Sequence, residues 1–186
     1  MCAVAYFTAV LARAGSGWRA RDVEVEEADT LDGLADSLRT VAVDDQPVLA
    51  VVEHEDEWFA LVRVDGEEEP RLFVSDLAAA SRSGYAELLA PAADVEPMLD
   101  EDSEGAEGDE DGEDDDEEES GASDVGVDSD TLAPAVWAGE PDLLEDLGVP
   151  GTALRRLVAD NAADPGAVLA ELGERVGFAE LLEALR

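Results

Sequence analysis

One histidine surrounded by acidic residues is the feature of this sequence that most invites a chemical interpretation. His54 is the only histidine of the chain, and it lies between Glu53 and the acidic run at residues 55–57. Such a group is compatible with general acid–base catalysis, with a metal site, or with the polar loop of a β-hairpin. The choice among these three interpretations largely decides whether the protein is an enzyme.

The surrounding residues favour the hairpin loop. Neighbouring residues of a strand point to opposite faces, so an acid next to His54 in sequence is not thereby next to it in space. The sequence has no G-x-S-x-G nucleophile motif, and its single cysteine, Cys2, leaves a zinc site without enough His or Cys ligands. Polar residues between two apolar runs are typical of a hairpin loop. We therefore predict no catalytic residue, no metal ligand and no cofactor.

The charge of the chain restricts its partners. Aspartate and glutamate number 49 against 11 basic residues, all of them arginine, for a net charge of -38. Residues 100–120 contain 15 acids and no arginine, which leaves -23 for the rest of the chain. Nucleic-acid binding depends on cationic groups that displace counterions from phosphates, so direct binding of tRNA or DNA is disfavoured. A protein partner with a basic surface is compatible with this charge.

Cysteine and hydropathy patterns predict a cytoplasmic protein. One cysteine cannot form an intrachain disulfide, which suits a reducing compartment. The apolar run Ala3–Ala12 has no positive charge before it and is too short to span a bilayer, so it is predicted to be a buried strand rather than a signal peptide. No membrane association is expected.

Residues 1–92 are predicted to form an α+β domain. Five segments have strand patterns and two have helical spacing, in the order ββαβββα. The first helix follows Asp29 or Thr30, and the second, capped by Ser75 or Asp76, has an apolar face of Leu77, Ala80, Tyr85, Leu88 and Leu89. The pattern predicts an antiparallel five-stranded sheet with flanking helices, in an order similar to longin and profilin folds. That similarity alone carries no function.

Residues 93–136 are predicted to be an acidic disordered linker. Its central part, residues 97–131, has many like charges and almost no apolar side chains, so it cannot collapse against its own repulsion. The acids do not have the spacing of a calcium-binding EF-hand loop. We interpret this segment as a tether that can also contact a basic protein. Its candidate partner-binding residues are the acidic run and the tryptophan that follows the linker: Asp114, Asp115, Asp116, Glu117, Glu118, Glu119 and Trp137.

Residues 137–186 are predicted to form a small all-α module of three or four short helices. Asp164 and Pro165 have the pattern of a helix N-cap and first residue, and Gly177 suits a helix C-terminus. A core of this size is marginal alone. The module is therefore expected to dock on the first domain, on another copy of the chain, or on a partner.

The sequence resembles a family of actinobacterial proteins known as tRNA adenosine deaminase-associated proteins. The resemblance is carried by "AYFTAVLARAGSGW" at residues 5–18, "LDGLADSLR" at 31–39 and "VVEHEDEWFALVRVDGEEEPRLFVSDLAAASRSGYAELL" at 51–89. It implies association, by gene neighbourhood, with the enzyme that converts adenosine to inosine in tRNA. It implies no activity and no catalytic residues for this chain.

The deaminase reaction itself is incompatible with these residues. That chemistry uses an H-x-E motif and a P-C-x-x-C pair around zinc. Here Asp56 lies two positions after His54, and Cys2 has no second cysteine. We therefore predict a protein without enzymatic activity.

Three functional hypotheses follow. The first is a non-enzymatic accessory protein that binds another protein, the tRNA adenosine deaminase in particular, through its acidic surface. The second is a small-ligand sensor or enzyme in which His54, or Arg63 and Arg71, contacts an anion. The third is an acidic scaffold or homodimer formed through the C-terminal helices.

Overall fold

An antiparallel sheet of six strands organises the protein. The computed structural model describes residues 6–54, 57–95 and 137–186. The strands are β1 Tyr6–Ala14, β2 Gly17–Arg21, β3 Val48–His54, β4 Trp58–Val64, β5 Arg71–Val74 and β6 Ala138–Gly139. Their spatial order is β2-β1-β3-β4-β5-β6. The α+β class and antiparallel sheet are confirmed, but the predicted count of five strands is wrong because β6 joins the edge beside β5.

The second strand is shorter than its alternating valines suggested. The alternation of Val23 and Val25 predicts a strand from Trp18 to Glu26, whereas β2 ends at Arg21 and Val25–Glu27 form a 3-10 turn. Val25 is buried at the start of this turn, so its apolar character reflects contact with the core rather than strand pairing. The turn carries the chain to the first helix.

One face of the sheet is covered by α1 Leu31–Val41, α2 Leu77–Ala80 and α3 Ala86–Leu89, followed by a 3-10 turn at Ala90–Asp94. Thr30 caps α1 by accepting a hydrogen bond from the Gly33 amide at 3.2 Å. The single helix predicted across residues 77–89 is wrong. Ser81 and Ser83 donate hydrogen bonds from their hydroxyls to backbone carbonyls three residues earlier, and the helix is interrupted there.

The other face is covered by the C-terminal residues. These form a 3-10 helix at Pro141–Leu147, then α4 Gly151–Asp160, α5 Pro165–Val176 and α6 Ala179–Leu185. The predicted cap of α5 is confirmed, because the Asp164 carboxylate accepts from the Ala167 amide at 2.9 Å. Gly177 ends α5 with φ of 91°, as predicted for a left-handed terminating residue.

Burial on both faces explains why β3 and β4 are almost continuously apolar. In β3, Leu49 and Val51 pack against the C-terminal helices, whereas the alternate residues Val48 and Ala50 pack beneath α1. The described residues before and after the segment 96–136 accordingly belong to one packing unit. The C-terminal helices were expected to dock on the first domain, on another copy of the chain, or on a partner. In the structure they pack on the sheet of the first domain. The predicted limits at 92 and 136 and the disordered linker stay predictions, because residues 96–136 lie outside the described residues.

Within residues 6–54, 57–95 and 137–186, the helices all fall short of the length and apolar character that a bilayer span requires.

Candidate functional site

His54 lies at the end of β3, directly opposite Trp58 at the start of β4. The Glu57 amide donates to the His54 carbonyl at 3.1 Å, which closes the turn between the two strands. The hairpin predicted from "HEDE" is therefore confirmed. Glu55 and Asp56 lie outside the described residues.

Four aromatic rings meet at this end of the sheet. Tyr6, His54 and Trp58 occupy one register line across β1, β3 and β4, so their side chains share a face. The His54 ring is stacked on Trp58 with centroids 5.9 Å apart and lies 4.8 Å from Tyr6. Tyr85, just before α3, completes the group at 4.9 Å from Tyr6 and 6.4 Å from Trp58. We call these four residues the aromatic cluster.

The aromatic cluster is suited to stacking rather than to bond-making chemistry. His54 Nδ1 is 2.9 Å from Glu57 Oε2, which is an ion pair only when the imidazole is protonated. The contact lacks hydrogen-bond geometry, so we treat it as electrostatic. Within the described residues, no group of three or more His, Cys, Asp and Glu side chains is placed to hold a metal ion. The His54 environment thus gives no support to the enzyme alternative.

Arg63 is a buried charge that sequence analysis had considered for anion binding. It is 3% exposed, and all five of its N–H donors are used. Asp65 accepts two bonds, Asp146 accepts two, and the Leu143 carbonyl accepts one at 2.6 Å. Arg71 adds a 2.7 Å bond to Asp65. This network joins β4 to the C-terminal 3-10 helix and leaves Arg63 no donor for an added anion.

The pairing with Arg63 makes part of the stability dependent on pH. The hydrogen bonds from Arg63 lower the pKa of Asp146 below its ordinary value of 3.8, with partial burial acting in the opposite direction. A carboxyl whose pKa is lower in the folded state stabilises the fold above its unfolded pKa and loses that effect as pH falls through the folded value.

Urea unfolding of the Asp146→Asn variant tests this dependence. We expect the wild-type protein to be the more stable at pH 7, with a difference that shrinks once the pH falls below about 4. Comparing the two proteins at each pH cancels the titration of the other acids. A difference that stays constant from pH 7 to pH 2.5 would contradict the assignment.

Trp137 packs on its own domain. Its indole stacks on Phe73 with centroids 6.0 Å apart at 19°, and the Arg155 guanidinium lies 5.6 Å from the ring centre. The side chain is only partly buried, so one part of it is accessible. Its role in partner binding stays a prediction, as does that of residues 114–119, which lie outside the described residues.

The folded unit is itself strongly acidic. Its described residues contain 28 aspartates and glutamates against 11 arginines. Several arginines are already paired with neighbouring acids, as in Arg39 with Asp36 and Arg175 with Glu171. The acids that remain unpaired give this unit a negative surface.

Two acidic grooves are each lined in part by residues between 28 and 32. The first, which we call the tyrosine groove, has a volume of about 230 Å³ and is lined by two tyrosines and three acids: Tyr6, Tyr85, Glu26, Asp29 and Glu87. The second, the arginine groove, has a volume of about 550 Å³, with Asp32, Glu68, Glu69, Glu140 and Arg71 among its lining residues. Sequence reasoning missed both grooves, because each collects acids from several separate segments.

Comparison with known proteins identifies the family. A family model described as Rv3753c-like tRNA adenosine deaminase-associated protein matches residues 6–179. The chain belongs to this family. The match includes both the sheet and most of the C-terminal helices, and it confirms the resemblance found in the sequence.

The family description states an association with tRNA adenosine deaminase, which is compatible with a protein that is not itself a deaminase. Searches of curated protein sequences and of solved structures found no significant match. The similarity of the strand order to longin and profilin folds therefore stays a prediction.

Proposed function

We propose that this protein is a non-enzymatic cytoplasmic accessory protein that binds a tRNA adenosine deaminase. The proposal rests on the strong acidity of the folded unit. The family to which the chain belongs is described by its association with that enzyme. A tRNA-binding enzyme must present a basic surface to the phosphate backbone. A strongly negative protein is complementary to such a surface.

The acidic segment at residues 97–131 supplies a second contact in this proposal. Its run Asp114–Glu119 is available to basic patches beyond the reach of the folded unit, and Trp137 stands where the chain returns to the sheet. Occupying the enzyme's basic surface gives the accessory protein three modes of action: competition with tRNA, stabilisation of the enzyme, or a change in its specificity.

Titration calorimetry with the tRNA adenosine deaminase from the same genome tests the proposal. We expect binding whose affinity falls by about tenfold or more as salt rises from 50 to 300 mM, because exposed charges are screened over a Debye length. A variant in which residues 97–131 are replaced by Gly-Ser repeats of equal length should bind more weakly. This replacement is preferable to a deletion because it changes charge at constant length.

The possible results separate the parts of the proposal. Absence of binding at every salt concentration would reject the deaminase as partner. An affinity that changes neither with salt concentration nor with the Gly-Ser replacement would support the deaminase as partner but contradict the electrostatic mechanism. Conversion of adenosine to inosine by this chain alone would reject the non-enzymatic assignment.

A further inference from the structure

The tyrosine groove contains a buried polar group that lacks a partner. Tyr85 is only 7% exposed, yet its hydroxyl has no hydrogen-bond partner among the described residues. The opposite tyrosine, Tyr6, accepts a 3.4 Å hydrogen bond from the Gly84 amide, which places both phenol rings beside the same loop. An unsatisfied buried hydroxyl is costly, so a ligand that bonds to it gains that energy.

One nearby carboxylate acts on this hydroxyl. Burial is the first cause that raises the pKa of Tyr85 to about 12, followed by the charge of Glu26 and by Tyr6. Glu26 and Tyr6 both line the groove, as Tyr85 does. The phenol stays protonated at neutral pH and can both donate and accept hydrogen bonds.

The lining of the tyrosine groove contains no cation to neutralise its acids, whereas the other groove has Arg71. Glu26 also belongs to an acidic stretch in which Glu24 has a raised pKa, caused first by its hydrogen bond with Glu27 and then by neighbouring negative charges. Like charges held this close together favour the arrival of a positive group.

We propose that the tyrosine groove binds an arginine side chain of a partner protein, with the guanidinium against the two tyrosines that line the groove and the carboxylates at the rim. This inference rests on the proposed function, since it assigns the residue type by which the partner is recognised. A planar guanidinium stacks on aromatic rings, forms paired bonds to carboxylates, and donates to a tyrosine oxygen. The volume of about 230 Å³ suits one long side chain and is below that of pockets for drug-sized ligands.

Nuclear magnetic resonance of the full chain, titrated with N-acetylarginine amide, tests the groove without any partner. We expect saturable shifts at the Gly84 amide and at the Trp58 indole, whose ring is 6.4 Å from both tyrosines. N-acetylcitrulline amide has nearly the same shape without the charge and should bind at least fivefold more weakly. No saturable shift at these positions, or equal binding of the two amides, would overturn the proposal.

Matched double variants separate recognition in the groove from general electrostatics. The Glu26→Gln, Glu87→Gln protein should bind the arginine amide about tenfold more weakly, which corresponds to about 1.4 kcal/mol. The Glu68→Gln, Glu69→Gln protein makes the same change in net charge in the arginine groove and should bind as the wild type does. Equal weakening by both pairs would show that the groove has no specific role.

The same two variants, measured against the deaminase, distinguish this inference from the proposed function. Weaker deaminase binding by the Glu26, Glu87 pair alone is the expected result. If both pairs bind the deaminase as the wild type does, the groove does not carry that contact and the inference fails while the proposed function stands. If the wild-type chain does not bind the deaminase, the proposed function fails, and the amide titration still decides whether the groove recognises arginine.

Discussion

Replacing Arg63 with methionine is expected to lower the free energy of unfolding by about 3 kcal/mol. Methionine keeps much of the side-chain volume but removes five donors. Asp65 and Asp146 then face each other without their shared cation, and the Leu143 carbonyl loses its partner. Urea unfolding followed by tryptophan fluorescence measures the change.

The matched control for this experiment is Arg156→Met. Arg156 is 3.5 Å from Asp160, but the two side chains are 83% and 64% exposed, so water screens the pair. Its loss should change the free energy of unfolding by no more than about 0.5 kcal/mol. Similar changes in the free energy of unfolding for the two variants would show that burial does not strengthen the ion pairs of Arg63.

Replacing Gly139 with alanine is expected to cost about 2 to 4 kcal/mol and to loosen β6 from β5. Gly139 has φ of 91°, and an added Cβ would lie 2.0 Å from the Leu72 carbonyl oxygen. The backbone must move, which disturbs the bond from the Glu140 amide to the same oxygen at 2.7 Å. We expect lower thermal stability together with a red-shifted emission from Trp137, which stacks on Phe73 of β5.

Gly17→Ala provides the control for the backbone effect. Gly17 has no heavy atom within 4 Å of the position of an added Cβ, and its φ is not positive. Its replacement should alter stability by about 0.5 kcal/mol at most. Unfolding of both alanine variants at the same temperature would contradict the account of β6.

Local chemistry made several elements predictable from the sequence. The polar loop after His54, the Asp164 cap and the glycine at 177 each depend on side chains within a few residues, and all three are found in place. The cap expected at Asp29 or Thr30 located the start of α1 in the same way. Such features depend on short-range rules that a single sequence contains.

The two missed elements have different causes, one a distant pairing and the other a local competition for hydrogen bonds. A two-residue strand at Ala138–Gly139 has no periodicity of its own and exists because it pairs with β5. The break between α2 and α3 depends on serine hydroxyls that compete with the helix, against an apolar spacing that still suggested one helix.

The candidate site was harder still to predict, because its residues come from distant parts of the sequence. The aromatic cluster brings together residues 6 and 85, and the tyrosine groove adds acids from other segments. Net charge correctly indicated an acidic protein, but only the fold shows where acids and rings meet. The acidic run at 114–119 and its partner role remain predictions from composition.

The position of β6 brings the two ends of residues 96–136 close together. The 3-10 turn at Ala90–Asp94, where the chain departs, is in contact with β6, where it returns. For a chain segment predicted to be disordered, the entropy of bringing its ends together grows with the logarithm of its length, by about 0.6 kcal/mol per doubling. Insertions and deletions between residues 95 and 137 are therefore expected to place little strain on the fold, because they leave the paired strands at both ends in register.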